Sequence, residues 1–358
     1  MRYIGLPRKL LSQASRIILL PCQKKSVRHN PRMVRSFIFS QGKLVSADPG
    51  LDVLRIVLYD EDAQIWVDLE NPTEQETKDL LEGVFSFHPL AIEDCVTLSE
   101  RPKADEYENY VFMVIHCVSY DPAKRDIAAT ELNMFIGKNF LVTYHRDPMR
   151  SVTATIERVQ KNAPLVARAP DRLTYHLLDA LFEQYEPGLQ SLAMDIEQLE
   201  ERMLTQPASD IIEDVVALKG VVQRLRQIVM PQREVIARVA RGEFKIVRAH
   251  LLPYYRDLLD RLAHSNDVSD NYREALTGIL QVHLNLQQMQ INKIIKVLTV
   301  LATLSLPVLA VTSFYGMNIR HMPNTEWPAW EYAYAWILGL VGLWTALIWW
   351  WIKKKGWY

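Results

Sequence analysis

Two stretches near the end of the chain carry no charged residue, Val297 to Ile319 over 23 positions and Tyr332 to Ile352 over 21. A helix of about 20 apolar residues covers the hydrocarbon core of a bilayer, so each stretch predicts a membrane span. Soluble helices of this length keep a charged face, which counts against a buried hairpin in a water-soluble core. Upstream the pattern changes. Ser36–Gln41, Leu54–Tyr59, Ile65–Leu69, Tyr110–Ser119, Glu131–Ile136 and Phe140–Tyr144 are rich in β-branched and aromatic residues and predict strands. Asn71-Pro72-Thr73 followed by Glu76 predicts a helix start, with Thr73 as N-cap and Glu76 closing a capping box. His145-Arg146-Asp147-Pro148 opens another helix that runs to about Lys161. Residues 34–165 therefore read as an α/β or α+β domain.

After Pro170 the strand signals stop. Within a helical segment spanning 166–252, residues 171–206 and 208–240 read as helices broken by Pro207 and Pro231. Between Asp171 and Asp214 there are eleven acids against Arg172 and Arg202 alone. Such a pair is a solvated surface or, beside a cation conduit, a field that concentrates cations. From Pro253 to Pro307 there is no intervening proline and one glycine, Gly278. One helix can thus run from Tyr254 through the first span to about Tyr315, on the order of 90 Å at 1.5 Å per residue. This stalk and first span occupy 253–319. Pro307 is tolerated inside a membrane helix, where neighbours satisfy the freed carbonyl.

Charge adds orientation. Lys293 and Lys296 precede the first span and Lys353, Lys354 and Lys355 follow the second, whereas the 320–331 loop sets Arg320 against Glu326 and Glu331. The positive-inside rule places residues 1–296 and the 353–358 tail in the cytoplasm, with the loop outside and 332–352 as the second span. Eight of the nine tryptophans lie at or after Trp327, as an interfacial belt requires. The basic tail 1–33 fits a solvated arm, an organellar presequence or a lipid-headgroup contact. Over the whole chain, 41 Lys+Arg against 42 Asp+Glu leave a net charge of −1, which excludes nucleic-acid binding by bulk charge. Cys22, Cys95 and Cys117 share no spacing, which excludes a disulfide framework or a cysteine-rich zinc module.

Two spans cannot enclose an aqueous path, so a channel needs several copies around an axis, with membrane lipid outside. Stepping by sevens from Asn292 gives Asn292, Thr299, Leu306 and Ser313, with Ile295, Ala302 and Leu309 between them. This stripe has a coiled-coil period and is either a pore lining or a packing seam. It holds no carboxylate. A permeating ion would meet amide and hydroxyl oxygens and apolar collars, which suits Mg²⁺, a cation that dehydrates reluctantly. Leu306 and Leu309 could gate by dewetting.

Tyr315-Gly316-Met317-Asn318 at the end of the first span resembles the Gly-Met-Asn signature of the CorA family of magnesium transporters. The following loop with Met322-Pro323, the terminal lysines, His88-Pro89-Leu90 with Glu93-Asp94, Arg101-Pro102-Lys103, Glu108-Asn109-Tyr110-Val111-Phe112, and Tyr255-Arg256-Asp257 with Asp260 are similar to that family over roughly residues 35–358. The resemblance implies a homopentamer with a funnel-shaped cytoplasmic assembly, an α+β cytoplasmic domain, a stalk helix and a pore lined by the first of two C-terminal transmembrane helices. It implies that Asn318 holds hydrated Mg²⁺ at the outer mouth, with Gly316 and Met317 shaping it, and that Asn292 is an inner polar ring. Family members often carry Met and Thr where this chain has Ile295, Leu306 and Leu309; that departure keeps the apolar gate and leaves no hydroxyl at these three positions. The resemblance also implies a regulatory Mg²⁺ site between subunits, made by Asp94 and Asp257 with Glu93 and Asp260 nearby. Facing carboxylates repel unless a divalent cation bridges them.

Mg²⁺ is thus expected both as cargo and as regulator. Uptake across the inner membrane would be driven by the membrane potential, with Co²⁺ or Ni²⁺ as further cargo. The chain has no glycine-rich phosphate cradle, so no nucleotide or organic cofactor is expected. A zinc transporter of the same superfamily is the nearest rival, but the nine histidines show no helix-spaced pair or cluster. A membrane-anchored sensor or enzyme is the rival from another class; residues 35–165 show no nucleophile motif, and no enzyme is expected.

Overall fold

The computed structural model describes residues 34–99, 101–205, 211–317 and 330–355. The basic tail 1–33 and most of the 320–331 loop lie outside these. The described chain divides at Gly278 into two units.

The first unit is built on a seven-stranded sheet in the order β2-β1-β3-β7-β6-β5-β4. Its strands are β1 (Val34–Ser40), β2 (Lys43–Ala47), β3 (Ala63–Glu70), β4 (Lys103–Glu106), β5 (Tyr110–Asp121), β6 (Asp126–Gly137) and β7 (Phe140–His145). All neighbouring pairs are antiparallel except β3 and β7. Gln41 and Gly42 join β1 to β2 with φ of 48° and 75°. Two consecutive positive φ values match the twist of a two-residue hairpin and favour a glycine.

Leu54–Tyr59 is not a strand. It falls in a helix, α1 (Leu51–Val57), whose buried residues are Leu54 and Val57. Those two are three apart, as a helix face demands, whereas Leu54, Ile56 and Leu58 would have to share one face of a strand. Asp52 and Arg55 at the two ends favour the helix dipole. The short β2 and β4 were not legible either. Each is an outer strand with little apolar pattern.

Thr73 caps α2 (Glu74–Thr77) with the complete capping box, and the chain continues through a turn of π-helix, Lys78–Glu82. α3 (Pro89–Val96) follows. On one face of the sheet, Ile65, Val67, Leu69, Phe112, Phe135 and Val142 pack with Leu54, Leu80, Leu81, Phe87, Ala91 and Cys95. The alternate residues Trp66 and Asp68 point to the other face.

α4 (Arg150–Val166) is interrupted at Asn162, two residues before Pro164. The 171–206 segment is two helices, α5 (Pro170–Glu183) and α6 (Tyr185–Thr205). α7 (Ile211–Ala240) continues through Pro231 instead of breaking there. Buried residues on both sides of that proline, Val229, Gln232, Val235 and Ile236, hold the helix in line. The acids at the two ends of the acidic stretch are engaged: Asp171 bonds Arg248, and Asp214 accepts from Arg202 and Arg125.

α8 (Leu252–Tyr315) is one helix of 64 residues, about 96 Å long. It passes through Pro307 without ending. α9 (Trp330–Lys354) is the second apolar helix of the second unit. The most apolar stretches of α8 and α9 have mean hydropathies of 2.3 and 1.7 and are almost wholly unburied, as two spans facing lipid or partner helices would be.

Candidate ion path and regulatory carboxylates

The stripe from Asn292 to Ser313 lies entirely on α8. Asn292, Ile295, Ala302, Leu306, Leu309 and Ser313 are exposed, and Thr299 is half-buried. Gln288 Nε2 donates to Asn292 Oδ1 at 3.1 Å, which holds that amide one turn above its neighbour. Thr299 donates its hydroxyl proton to the Ile295 carbonyl at 2.8 Å, leaving its oxygen lone pairs able to accept. The seven positions average 3.5 residues per turn. On a straight helix such a stripe drifts by about 20° per heptad, so keeping it on one axis needs a tilted or left-handed arrangement of copies.

The helix ends at Gly316, whose N–H donates to the Thr312 carbonyl at 2.9 Å. A β-carbon on Gly316 would come within 2.9 Å of that same oxygen. Met317, half exposed, follows in the turn. Asn318 lies outside the described residues.

The four predicted regulatory acids sit on two elements of the first unit. Glu93 and Asp94 are on α3, Glu93 exposed and Asp94 paired with Lys103. Asp257 and Asp260, both exposed, are on the first turns of α8. Arg261 reaches Asp257 at 3.8 Å and Asp179 of α5 at 3.1 Å. Burial pushes the Tyr175 phenol up, and the carboxylates of Asp179 and Asp257 push it further. Asp179 thus belongs to the same acidic corner as Asp257, 78 residues earlier, and no spacing in the sequence pointed to it.

A second group was also invisible in the sequence. One ligand atom each from Asp68, Glu70 and His145 lies within 4.8 Å of the others. Parallel pairing of β3 and β7 sets Glu70 opposite His145 and Asp68 opposite Thr143. The donor set suits a metal, yet its charges are already met. Arg35 Nη2 donates to Asp68 Oδ2 at 2.9 Å and to Glu70 Oε2 at 2.6 Å. Thr143 Oγ1 donates to Asp68 Oδ1 at 2.7 Å. His145 faces an acceptor on each side, Asp68 Oδ1 at 3.2 Å and the Asp147 carbonyl at 2.7 Å. Only the doubly protonated imidazolium satisfies both. Burial alone would lower the His145 pKa, but the hydrogen bond and charge of Asp68 outweigh it and the net shift is upward. For Asp68 burial raises the pKa, and His145, Arg35 and Thr143 together bring it below its ordinary value. Two cations on two carboxylates close the group as an ion-pair network.

The family model described as CorA-like Mg²⁺ transporter protein matches residues 61–354. The cobalt/magnesium transport protein CorA of Thermotoga maritima is 28% identical over 305 residues, covering 83% of this chain and 84% of that protein. The putative metal ion transporter YfjQ of Bacillus subtilis is 28% identical over 296 residues, covering 83% and 90%. Among solved structures, the complete CorA magnesium transporter of Methanocaldococcus jannaschii superposes with a TM-score of 0.75 at 20% identity, over 92% of this chain and all of that one. A sheet-based head, a helix that continues into an apolar span, a second apolar helix and a sequence match over most of the length agree: the chain belongs to the CorA-like Mg²⁺ transporter family.

Proposed function

We propose that identical copies of this chain, five as in the family it resembles, surround a water-filled path that carries hydrated Mg²⁺ into the cytoplasm across the inner membrane. The Asn318 side chains hold the hydrated ion at the outer mouth, beside Gly316 and Met317. Asn292, Ile295, Thr299, Ala302, Leu306, Leu309 and Ser313 line the path, polar at its inner end and apolar through its middle. A membrane potential contributes about 2.3 kcal/mol per charge per 100 mV, hence about twice that for a divalent ion, which is a sufficient driving force without nucleotide.

The observation that carries this reading is the continuity of α8. One unbroken helix bears Asp257 in its second turn and the charge-free span at its far end. A cation that bridges Asp257 of one copy to Asp94 of the next, with Glu93 and Asp260 nearby, therefore acts directly on the pore-lining element. Cytoplasmic Mg²⁺ holds the closed ring by binding it more tightly than the open one. When Mg²⁺ falls, the facing carboxylates repel and the ring loosens.

Reconstitution tests it. The full chain in liposomes with an interior-negative potential should admit Mg²⁺ at a rate that rises with the potential, and Asn318→Ala should abolish most of that flux. A detergent-solubilised monomer, or wild-type flux through Asn318→Ala, refutes the reading.

A further inference from the structure

α3 carries Glu93 and Asp94 but has little means of holding itself in place. It has eight residues, and its buried side chains are the small Ala91 and Cys95. Helices this short are marginal without outside support. The support comes from the sheet, at both ends.

At the entry, Phe87 stacks on Phe135 of β6 with centroids 4.1 Å apart. The His88 N–H donates to Tyr110 Oη of β5 at 3.0 Å, and His88 Nδ1 then accepts from Leu90 N–H at 3.2 Å. At the exit, Arg146 donates to the Val96 carbonyl. Three residues on, Ser99 is gripped from two sides. Its N–H donates to Glu131 Oε2 of β6 at 2.8 Å, and its carbonyl lies 2.8 Å from His116 Nε2 of β5. That nitrogen carries the imidazole proton, because a carbonyl can only accept. Glu131 and His116 are themselves buried, and Asn133 Nδ2 steadies Glu131 Oε1 at 2.8 Å. His116 is fixed in turn by the helices behind the sheet. Its N–H donates to Gln232 Oε1 at 3.0 Å, and its carbonyl accepts from Tyr185 Oη at 2.5 Å.

We propose that Tyr110, His116, Glu131 and Arg146 are positioning residues that hold Glu93 and Asp94 in register for Mg²⁺, and so set the Mg²⁺ concentration at which the cytoplasmic region tightens. The proposal rests on the regulatory reading above and names what tunes it. Groups behind metal ligands typically govern affinity by about 10- to 100-fold, because they decide where the ligand oxygens stand. Without the grip on Ser99 and Val96, α3 can shift by enough to spoil that geometry while the sheet stays folded.

The test is protection of the full-length, detergent-solubilised protein from trypsin, titrated with Mg²⁺. Glu131→Ala should raise the half-protecting Mg²⁺ concentration about tenfold and still reach full protection at saturation. Glu131→Gln keeps an acceptor for Ser99 and should stay within about twofold of wild type. Arg146→Ala lies outside the core, so it reports even if Glu131→Ala does not fold. It should shift the midpoint upward, and Arg146→Lys, which can still reach the Val96 carbonyl, should restore it. A purely structural role would lower thermal stability and leave the midpoint in place. If wild type is protected by Mg²⁺, Asp257→Ala is not, and the Glu131 and Arg146 variants titrate with wild type, the positioning role is overturned and the regulatory site stands. A wild type with no Mg²⁺-dependent protection overturns both.

Discussion

Replacing Asp68 by Asn should cost the cytoplasmic unit more than any surface change, and it should alter the shape of its pH response. Both Asp68 and His145 have fully buried side chains. The amide keeps the hydrogen-bonding shape but removes the charge, leaving the His145 imidazolium without its counter-ion and Arg35 with Glu70 alone. Breaking one partner of a buried ion pair costs about 3–5 kcal/mol. At about 2–4 °C per kcal/mol for a unit of this size, the melting temperature should fall by about 10 °C. The sign of the pH dependence follows from the two shifts. His145 is raised above its ordinary 6.5 in the folded state, so its stabilisation is full below 6.5 and is lost as pH rises through the folded value. Asp68 is lowered below its ordinary 3.8, so its stabilisation is full above 3.8 and is lost as pH falls through the folded value. Thermal unfolding of the full-length protein followed by circular dichroism from pH 6 to 10 should therefore show a falling melting temperature for wild type and a flatter alkaline limb for Asp68→Asn. The double variant Asp68→Asn with His145→Gln removes both charges and should recover about half of the loss. A melting temperature within about 2 °C of wild type for Asp68→Asn, or an unchanged alkaline limb, would refute the buried-imidazolium assignment.

Other perturbations address the ion path and its control. Leu306→Asn places an amide in the apolar middle of the stripe and should let ions leak at high cytoplasmic Mg²⁺, read as flux from Mg²⁺-loaded liposomes, since a dewetted collar needs apolar walls. Asp257→Ala should lose Mg²⁺ protection against trypsin and keep conducting at Mg²⁺ levels that close wild type; protection at the wild-type midpoint would remove Asp257 from the site. Gln232→Leu strips the buried amide that bonds both His116 N–H and Tyr185 Oη. It should lower stability by about 2–3 kcal/mol, measured as a shift in the denaturation midpoint, because the His116 N–H is left buried without a partner.

How much of this protein could be read from its residues differs from region to region. The two charge-free runs, the long proline-free stretch before Pro307 and the capping box at Thr73 are local patterns, and local patterns survive folding because period, length and capping chemistry are properties of contiguous residues. The spans, the stalk helix and most strands were therefore legible, as was the family, whose motifs are contiguous too. Leu54–Tyr59 was misread because β-branched content favours a strand while the burial of Leu54 and Val57, decided by the sheet beneath them, selects a helix. Pro231 was misread because tertiary packing on both sides outweighs a single missing hydrogen bond.

The groups that matter chemically lie further from view. Asp68 and His145 are 77 residues apart and meet only because β3 and β7 pair in parallel in one particular register. Asp179 joins Asp257 through Arg261 across two helices. His116 of β5 and Glu131 of β6 reach Ser99 just past α3, and Arg146 in the turn after β7 reaches Val96 at its end. Each such meeting is an outcome of strand order and helix packing, which sum many weak contacts over the whole domain and leave no trace in the spacing of the residues brought together. The chain alone dictated the two charge-free apolar helices and the long helix that leads into the first of them. Only the folded sheet decided which polar side chains face one another, because register and packing are collective properties.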